Sequence, residues 1–340
     1  MNDIRKSLIE KQTDEGQRNP LLSRLDGLAE SVHVQRRSFV APFEQIAQTD
    51  TVEARNALAL PGMLEMAEQA AGRALAAAGL ESDTIDVIIA SHSTTPMTPG
   101  LDVHLVNRLA LRPDVMRMPA TQLGCVGGAH ALSWAAHLAD AVPGRRVLVV
   151  VSEALSTVYQ HTDTSITGMI YRMLFGDAAA ACIVTSEPLG PGLHITDTWQ
   201  YTLPDTMEYY ALTAKSDGMH FDSTREAPTG VTRLIEPLWQ WIRHRDPDWL
   251  PEFVIAHPGG PKVLDLTAKG LGCPPGLLTH SWNSLRDHGN LGGVAVLHIL
   301  AKTHDDKPRH GANTLLLGVG PGFASASVIG DWHNPTHSAG

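Results

Sequence analysis

Three widely separated residues carry side chains suited to covalent acyl transfer: Cys125, His257 and Asn290. Cys125 stands in the segment ATQLGCVGGAHALSWAAHLA, where a short predicted strand runs into a predicted helix that begins beside the cysteine. The N-terminus of a helix stabilises an anion, so this position predicts a lowered thiol pKa and a nucleophilic thiolate. The glycines on both sides of the cysteine relieve the turn and allow a substrate to approach closely.

The helix after Cys125 is apolar nearly all round, which predicts that it is buried and that the cysteine lies at the floor of a pocket. The alternative is that Cys125 is a small buried apolar residue, as most free cysteines are. The two other cysteines lie in different surroundings. Cys182 is part of the apolar run AAAACIVT, which predicts an inert thiol, and Cys273 precedes two prolines, which predicts a loop.

A cysteine nucleophile needs a base and a group that stabilises an oxyanion. His257 ends the predicted strand FVIAH, and α/β sheets present their reactive groups at the carboxyl ends of strands. Asn290 follows Gly289 and precedes another predicted helix. Taken one at a time, His257 is explained as a hydrogen-bonding residue at a strand end and Asn290 as a helix cap. Their occurrence together with Cys125 favours an acyl-transfer site.

The elements that must position these residues alternate between strand and helix. Apolar, β-branched runs predict buried strands, and apolar residues at helical spacing predict helices. The predicted strands are 86–91, 145–154, 178–187 and 253–257, with paired strands over NTLLLGVGPGFASASVIG. The predicted helices are 60–80 and regions near 101–111, 261–270 and 290–303. This alternation predicts an α/β fold with a largely parallel sheet that helices cover on both faces.

The chain is predicted to consist of two halves with a short segment at each end. A flexible lead-in covers 1–20, and a loose tail covers 331–340. The first half, 21–190, carries the cysteine, and the second half, 191–330, carries the histidine and the asparagine. The junction is placed at SEPLGPGLH, because glycine and proline in such a cluster indicate a connection between elements.

Composition excludes several classes of protein. Of the 340 residues, 43% are hydrophobic and 18% are charged, which is typical of a folded globular chain. The formal net charge of −10 argues against nucleic acid as the main partner. No apolar run approaches the roughly 18 residues that span a bilayer, and the polar N-terminus predicts no secretory signal. Three scattered cysteines predict neither disulfides nor a metal site, so we expect a cytoplasmic protein without a metal.

Four segments, GCVGG, AHPGGPKVLD, HGNLGG and GVGPG, resemble in order and spacing the characteristic blocks of the chalcone synthase-like family, the type III polyketide synthases. LFGDAAAA at 174–181 and GMHFDSTREAP at 218–228 are similar to two further blocks. The similarity runs from Arg24 to Gly330. Ketoacyl synthase III enzymes share the Cys-His-Asn trio, but the HPGGP block favours the polyketide branch.

The resemblance implies a thiolase-like fold of two similar halves, with mixed, mostly parallel sheets in an α/β/α/β/α layering. It implies a homodimer that uses malonyl-CoA and an acyl-CoA starter, with no cofactor beyond these CoA thioesters. Cys125 would carry the acyl chain and form an ion pair with His257. His257 and Asn290 would stabilise the enolate that forms when malonyl-CoA loses carbon dioxide.

The same resemblance assigns roles in binding. Phe175 and Phe221 match the two phenylalanines that gate the cavity between the CoA tunnel and the catalytic chamber, although both are also explained as core aromatics. The other matches are Leu155, Val158 and Gly292 in the chamber, Thr98 where a partner subunit reaches the cavity, and Arg24, Gly259 and Lys262 beside the CoA arm.

Two stretches, SEALSTVYQHTD and YTLPDTMEYYALTAKSDGMHF, are most similar to bacterial tetrahydroxynaphthalene synthases, which use malonyl-CoA as both starter and extender. Those enzymes carry an additional cavity cysteine where His92 or Ser93 stands in this chain. The product therefore stays open between a pyrone and a polyhydroxylated aromatic such as tetrahydroxynaphthalene. The opening strand with a GTA-type turn that family members carry is not found before Leu21.

Two other functions are compatible with the same residues. One is a single condensation of the ketoacyl synthase III type, or an acyl-CoA-dependent transfer to an alcohol, amine or thiol on the same scaffold. The other is a non-catalytic homologue that acts as a partner in a biosynthetic complex. The intact Cys-His-Asn trio argues against the second, because a non-catalytic copy has no chemical need of it.

Overall fold

The structure, a computed structural model, describes residues 27–158, 160, 163, 165–274 and 276–334. Its strands are β1 (Val87–His92), β2 (Met116–Thr121), β3 (Arg146–Glu153), β4 (Ala178–Thr185), β5 (Gly192–Thr202), β6 (Tyr210–Lys215), β7 (Gly218–Ser223), β8 (Phe253–Ala256), β9 (Asn313–Gly320) and β10 (Ala324–His333). Its α-helices include α1 (Phe43–Ala47), α2 (Val52–Ala78), α3 (Leu101–Arg108), α4 (Gly127–Asp140), α5 (Ile166–Leu174), α6 (Gly230–Arg245), α7 (Pro261–Leu271), α8 (Thr279–His288) and α9 (Ala295–Asp305).

The strands form two four-stranded sheets and one hairpin. The first sheet has the order β2-β1-β3-β4, and the second has the order β5-β10-β9-β8. β1 runs parallel to β2 and β3, and β8 runs parallel to β9, whereas β4, β5 and β10 pair antiparallel with their neighbours. β6 and β7 form the hairpin. Antiparallel pairing is more frequent than the alternation predicts, because short connections such as 321–323 cannot form a parallel crossover.

Helices cover both faces of the first sheet, as the alternation of buried residues along β3 shows. Leu148 and Val150 pack in one core cluster with residues of α2 and α3. Val147, Val149 and Val151 belong to a different cluster, which contains residues of α4 and α9. Since successive side chains of a strand point to opposite faces, α2 and α3 lie on one side of the sheet and α4 and α9 on the other.

Helices also cover both faces of the second sheet, and α4 and α9 lie between the two sheets. Leu316 of β9 belongs to the same cluster as α4 and α9. Leu315 and Leu317 belong to the cluster that contains residues of α6, α7 and α8. The order is therefore helices, sheet, helices, sheet, helices, which confirms the α/β thiolase-like fold with α4 and α9 in its middle layer. Within the described residues, no helix is long and apolar enough to cross a membrane.

The long helix α2 extends well before the predicted helix at 60–80. It starts at Val52 because Thr51 caps it, with the Thr51 hydroxyl accepting a hydrogen bond from the Ala54 amide at 3.1 Å. It ends at Gly79, which adopts the left-handed conformation that commonly terminates helices. Helices α5, α6 and α8 and the β6–β7 hairpin were not predicted from the sequence pattern.

The predicted loose tail at 331–340 is wrong for its first residues. β10 continues to His333, and Trp332 pairs with Leu193 of β5. Trp332 is only 1% exposed, so burial of its indole ring holds the end of the strand in the sheet. The predicted lead-in at 1–20 lies outside the described residues.

The two halves meet backbone to backbone at Gly128 and Gly293. Gly128 lies in the first turn of α4, and Gly293 lies in the single 3₁₀ turn Gly292–Val294 that precedes α9. A Cβ atom on Gly128 would lie 2.1 Å from the carbonyl oxygen of Gly293. The two helix starts therefore approach so closely that no side chain fits between them.

We expect Gly128→Ala to lower the free energy of unfolding by about 1–3 kcal/mol, because the added methyl group must push the two backbones apart. Gly72→Ala is the matched control, since Gly72 is exposed in α2 and an added Cβ would meet no neighbouring atom within 4 Å. That substitution is expected to stabilise by about 0.5–1 kcal/mol. Urea denaturation measures both, and equal stability of the two variants would show that the close contact is not required.

Candidate active site

The three predicted catalytic residues follow elements of both halves. Cys125 lies in the 3₁₀ turn Gly124–Val126, between the end of β2 and the start of α4. His257 directly follows β8, and Asn290 lies between α8 and the turn that precedes α9. β2 and β8 each run parallel to a neighbouring strand. The carboxyl ends of such strands are where α/β proteins place their reactive groups.

Close backbone contacts fix the turn that carries Cys125. Gly124 has a φ of +57°, which favours glycine, and a Cβ there would lie 2.7 Å from the Cδ atom of Pro321. The Gly124 amide donates a hydrogen bond to the Ser93 hydroxyl at 2.6 Å. The turn between β9 and β10 therefore packs directly on the cysteine turn, and β1 anchors it from the other side.

Asn290 is 4% exposed and is held from several directions. Its backbone N–H donates to the Leu174 carbonyl at 2.7 Å, and its backbone carbonyl accepts from the Gly176 N–H at 3.1 Å. The side-chain oxygen Oδ1 accepts from the Gly292 amide at 2.8 Å, and Nδ2 reaches the Gly259 carbonyl at 3.4 Å. The Gly292 N–H can donate only to an acceptor, so the side-chain atom that it meets is the oxygen Oδ1. The other atom of the carboxamide is therefore the N–H donor Nδ2.

The structure brings Asn290 and Cys125 together. The carboxamide of Asn290 lies close enough to the Cys125 sulfur to favour the thiolate. His257 joins this pair through Gly259, whose amide donates to the His257 carbonyl at 3.0 Å and whose carbonyl accepts from Asn290. Among the described residues, no hydrogen bond links the His257 ring to Cys125 or Asn290, and its Nδ1 atom is buried without a partner.

The ionisation states differ from the sequence prediction of a lowered thiol pKa. Burial, together with the nearby Glu153 carboxylate, raises the pKa of the Cys125 thiol to about 12. Burial lowers the pKa of His257 to about 3. Loss of water around both groups outweighs the helix N-terminus and the Asn290 carboxamide. Both shifts favour the neutral thiol and the neutral imidazole over the expected ion pair.

Glu153, at the end of β3, is a buried carboxyl group beside the cysteine. It is 1% exposed and accepts hydrogen bonds from the amides of Ser93 at 3.0 Å and Thr94 at 3.1 Å. The Thr94 hydroxyl donates a further hydrogen bond at 2.9 Å. Burial raises the pKa of Glu153 to about 7 despite these donors. Its carboxylate adds to the effect of burial, which is the larger cause of the raised pKa of the Cys125 thiol.

Aromatic rings pack beside these residues. Phe175 is 1% exposed and pairs with Asn290 in a parallel β-bridge, which places it against the trio. Phe221 packs nearly perpendicular to Phe175, with ring centroids 5.1 Å apart. Tyr171 stacks on Phe175 at 5.1 Å and meets Phe221 edge-on at 4.6 Å. The two predicted gate residues are therefore in contact and share a third ring.

The three predicted chamber residues lie near the trio or in the adjoining core. Leu155 is 7% exposed, and a Cβ on Gly292 would lie 3.1 Å from its Cδ1 atom. Gly292 in turn binds Asn290 through its amide. Val158 is 1% exposed and belongs to the same core cluster as Phe175. Within the part of the chain that the structure describes, no group of three or more His, Cys, Asp or Glu side chains could hold a metal ion.

The other predicted binding residues occupy several places. Gly259 lies against the His257 ring, where a Cβ would be 3.5 Å from Nε2. Lys262 is exposed in the first turn of α7. Thr98 is exposed in the loop between β1 and α3, apart from the buried residues around Cys125. Arg24 lies outside the described residues.

Three residues near the cysteine were missed at the level of sequence: Glu153, Tyr171 and Tyr210. Glu153 ends the apolar run VLVVVSE, and a carboxyl group directly after a buried strand was the available signal. Tyr171 stands four residues before Phe175, so a helix over this segment would have placed both on one face. Nothing in the sequence marks Tyr210, because its position depends on the register of the β6–β7 hairpin.

The fold has five thiolase-like layers, Cys125 lies beside Asn290, and Gly259 links the His257 backbone to Asn290. These features are those of the cysteine-dependent acyl-condensing enzymes. The family described as "Chalcone and stilbene synthases, N-terminal domain" matches residues 39–188, and its C-terminal domain matches 194–330. The chain therefore belongs to the chalcone and stilbene synthase family. It is a transferase of the type III polyketide synthase class.

Known proteins resemble this chain over nearly its whole length. Phloroglucinol synthase of Pseudomonas fluorescens is 31% identical over 92% of this chain and 90% of its own. Germicidin synthase from Streptomyces coelicolor, a type III polyketide synthase, has a TM-score of 0.90 and 35% identity, covering 98% of this chain and 94% of its own. The 1,3,6,8-tetrahydroxynaphthalene synthase of Streptomyces coelicolor has a TM-score of 0.91 and 29% identity, covering 98% and 95%.

We expect the alkylation of Cys125 by iodoacetamide to accelerate continuously from pH 7 to pH 10. With a thiol pKa raised to about 12, the thiolate fraction keeps growing over this range by up to about tenfold per pH unit. Mass spectrometry of the peptide that contains Cys125 measures the rate separately from Cys182 and Cys273. A rate that levels off between pH 6 and pH 7 would instead indicate a thiolate–imidazolium pair in the free protein.

Glu153→Gln isolates the contribution of the neighbouring carboxylate to the pH dependence of Cys125 alkylation. Above pH 7 the wild-type carboxylate is ionised and raises the thiol pKa, so the variant should be alkylated faster there. Below pH 6 the wild-type carboxyl group is protonated, and the two rates should coincide. The Gln side chain keeps an oxygen that can accept the amide hydrogen bonds, so the comparison changes mainly the charge.

Proposed function

We propose that this enzyme repeatedly condenses malonyl-CoA onto an acyl group carried by Cys125 and then cyclises the chain to a pyrone or a polyhydroxylated aromatic. One observation carries the proposal: the Cys125 thiol lies beside the carboxamide of Asn290, which hydrogen bonds to Gly292 and Gly259 hold in place, in a buried site that also holds His257. A nucleophile beside a preset N–H donor is the arrangement that acyl transfer through a thioester requires.

Loading begins with the neutral thiol and the neutral imidazole. As the Cys125 sulfur attacks the thioester carbonyl, His257 accepts the thiol proton. The bond from the acyl carbon to CoA sulfur then breaks, and the CoA thiolate leaves with the proton from the imidazolium.

Extension of the chain uses Asn290 and His257 as hydrogen-bond donors. Malonyl-CoA loses carbon dioxide, and the electron pair of the broken C–C bond is held as an enolate whose oxygen receives N–H groups of Asn290 and His257. The enolate carbon attacks the acyl carbonyl, and Cys125 leaves as a thiolate. Thioester exchange returns the longer chain to Cys125 and releases CoA. No step is a redox reaction, so we propose no cofactor beyond the CoA thioesters.

The CoA arm is proposed to pass Gly259 and Lys262. Gly259 has no side chain over the His257 ring, which leaves space for a pantetheine chain to reach the imidazole. Lys262 is exposed in the first turn of α7, where a positive charge and a helix N-terminus both favour phosphate. Both residues lie on the His257 side of the site, so the arm would enter toward Cys125 over the imidazole.

The chemical class of product follows from the relatives only as far as a pyrone or an aromatic ring. Their names state phloroglucinol, germicidin and tetrahydroxynaphthalene, so similar chains form different rings. Of the two residues at the position of the additional cavity cysteine, His92 is buried and bonds the Thr94 carbonyl through Nδ1 at 2.9 Å. Ser93 lies beside the cysteine turn, where its hydroxyl accepts a hydrogen bond from the Gly124 backbone N–H.

Substitution of the trio tests this function. Cys125→Ala should abolish ketide formation, because no group remains to carry the chain. Asn290→Ala and His257→Ala should each lower carbon dioxide release from malonyl-CoA by about 10²–10³-fold, since each removes a donor to the enolate. Radiolabelled malonyl-CoA with several acyl-CoA starters, followed by mass analysis of products, measures both steps.

Cys182→Ala is the control, because Cys182 lies in β4 away from the trio and should not affect turnover. Acyl transfer by the wild type without carbon dioxide release would support the simple acyltransferase instead. One extension only would support a single condensing enzyme. Product formation by Cys125→Ala would contradict the nucleophile assignment.

We also propose that the enzyme is a homodimer that forms through the edge of the first sheet. β2 is the edge strand, and four of its six residues are exposed, including Met116 at 50% exposure. A strand paired in parallel is normally covered on both sides, and an open edge is a template for pairing with another chain. Because β2 leads directly to Cys125, this contact would also brace the cysteine turn.

Size-exclusion chromatography with light scattering should therefore give twice the chain mass of 36.6 kDa. Met116→Glu should shift the protein toward the monomer, because it places a carboxylate in the proposed contact. Leu250→Glu is the matched control, since Leu250 is 67% exposed just before β8 and should leave the dimer intact. A monomeric wild type would contradict the proposal.

A cytoplasmic location is proposed on the state of the cysteines. All three are free thiols, and Cys125 must remain reduced to accept an acyl group. An oxidising compartment would consume the nucleophile that the reaction needs. Fractionation of the producing cells, with immunoblotting against the chain, tests this location.

A further inference from the structure

A group of packed rings forms one wall beside the catalytic cysteine. Its members are Tyr171, Phe175, Tyr210, Phe221 and Phe323. Tyr210 lies 6.2 Å from Phe221 and 6.2 Å from Phe323, at an interplanar angle of 28° to each. A ring held between two others at the same angle has little freedom to turn. The position of the Tyr210 hydroxyl is therefore set by the packing around it.

The β6–β7 hairpin places Tyr210 on the face that carries the gate residue. Tyr210 pairs with Ser223, and Leu212 pairs with Phe221. Residues two apart in a strand share a face, and directly paired residues share it as well. The four side chains therefore project together toward Tyr171, which contacts Phe221 and hydrogen-bonds Ser223.

The two tyrosines differ in what their hydroxyls do. Tyr171 donates its hydrogen bond to the Ser223 hydroxyl and is thereby tied to the hairpin. Tyr210 has no hydrogen-bond partner for its hydroxyl among the described residues. A phenol that is partly buried and unpartnered has one donor available for a ligand.

Two facts connect this donor to the chemistry. Tyr210 packs on Phe221, Phe221 packs on Phe175, and Phe175 pairs with Asn290, so packed rings connect the phenol to the trio. Burial raises the pKa of Tyr210, so its phenol stays protonated at neutral pH and acts as a donor, not as a base. A chain built from malonyl units carries a ketone oxygen on every second carbon, and each such oxygen is an acceptor.

We propose that the hydroxyl of Tyr210 donates a hydrogen bond to a ketone oxygen of the chain held on Cys125 and thereby selects the conformation that cyclises. This role deepens the proposed polyketide synthase function and rests on it. Tyr210 is a positioning residue, because it orients the chain and takes no part in bond formation at Cys125. Because neighbouring rings hold Tyr210 in place, its hydroxyl would hold one ketone along the chain and not the others.

Tyr210→Phe tests the role, since it removes the hydroxyl and keeps the ring. Each variant is incubated with radiolabelled malonyl-CoA, and every product is quantified by mass relative to carbon dioxide released. The ratio between the main cyclised product and the other released ketides should change by about 3–10-fold, as expected for the loss of one hydrogen bond. An unchanged ratio in Tyr210→Phe overturns the proposal.

Tyr209→Phe is the matched control. Tyr209 is adjacent in sequence and also contacts Phe323, at 6.0 Å, but its hydroxyl lies 3.5 Å from Arg233. Its product ratio should equal that of the wild type, and a change as large as that in Tyr210→Phe would overturn the specific role of Tyr210. Thermal unfolding of both variants shows whether the fold is equally stable.

Tyr210→Leu separates the hydroxyl from the bulk of the ring. If Tyr210→Leu changes the ratio and Tyr210→Phe does not, chamber shape alone decides the product and the hydrogen bond is refuted. The proposed function fails separately, because a wild type that releases no carbon dioxide from malonyl-CoA overturns it before any ratio is compared.

Discussion

The close backbone contact between Gly128 and Gly293 is the constraint on which the site depends. Cys125 belongs to the first half and Asn290 to the second, and each lies three residues before one of these glycines. Because the helix starts touch without intervening side chains, the two reactive groups come within hydrogen-bonding reach. A single side chain at this point would separate them. The active site is thus a consequence of how tightly two helices pack in the middle layer.

The burial that this packing produces also determines the electrostatics. Burial disfavours both a thiolate at Cys125 and an imidazolium at His257, because solvent stabilises neither charge there. In the proposed mechanism, charge develops on the sulfur and then on the thioester oxygen during the reaction. Little water would compete there for the hydrogen bonds from Asn290 and His257 to the developing oxyanion. Burial that disfavours the resting thiolate favours the step in which charge moves onto substrate.

The sequence pattern singled out Cys125, His257 and Asn290 as candidates, and the structure places Cys125 beside Asn290 and links the His257 backbone to Asn290 through Gly259. Cys125 begins a buried helix, and His257 ends an apolar strand. The pattern did not reveal Glu153 as a neighbour of the cysteine, since that proximity depends on pairing between β1 and β3. The thiol pKa was predicted in the wrong direction for a related reason. The local helix favours a thiolate, but desolvation by distant elements outweighs it, and local sequence does not report distant packing.

Product choice must come from side chains on the chamber wall and not from the fold. The structure matches a germicidin synthase and a tetrahydroxynaphthalene synthase about equally well, with TM-scores of 0.90 and 0.91. Since similar backbones carry enzymes named for different products, the side chains must differ in ways that the backbone does not show. In this protein the wall is built from large aromatic rings that hold one another in place. Rings that hold one another in place keep the shape of this wall constant, which the proposed role of the Tyr210 hydroxyl requires.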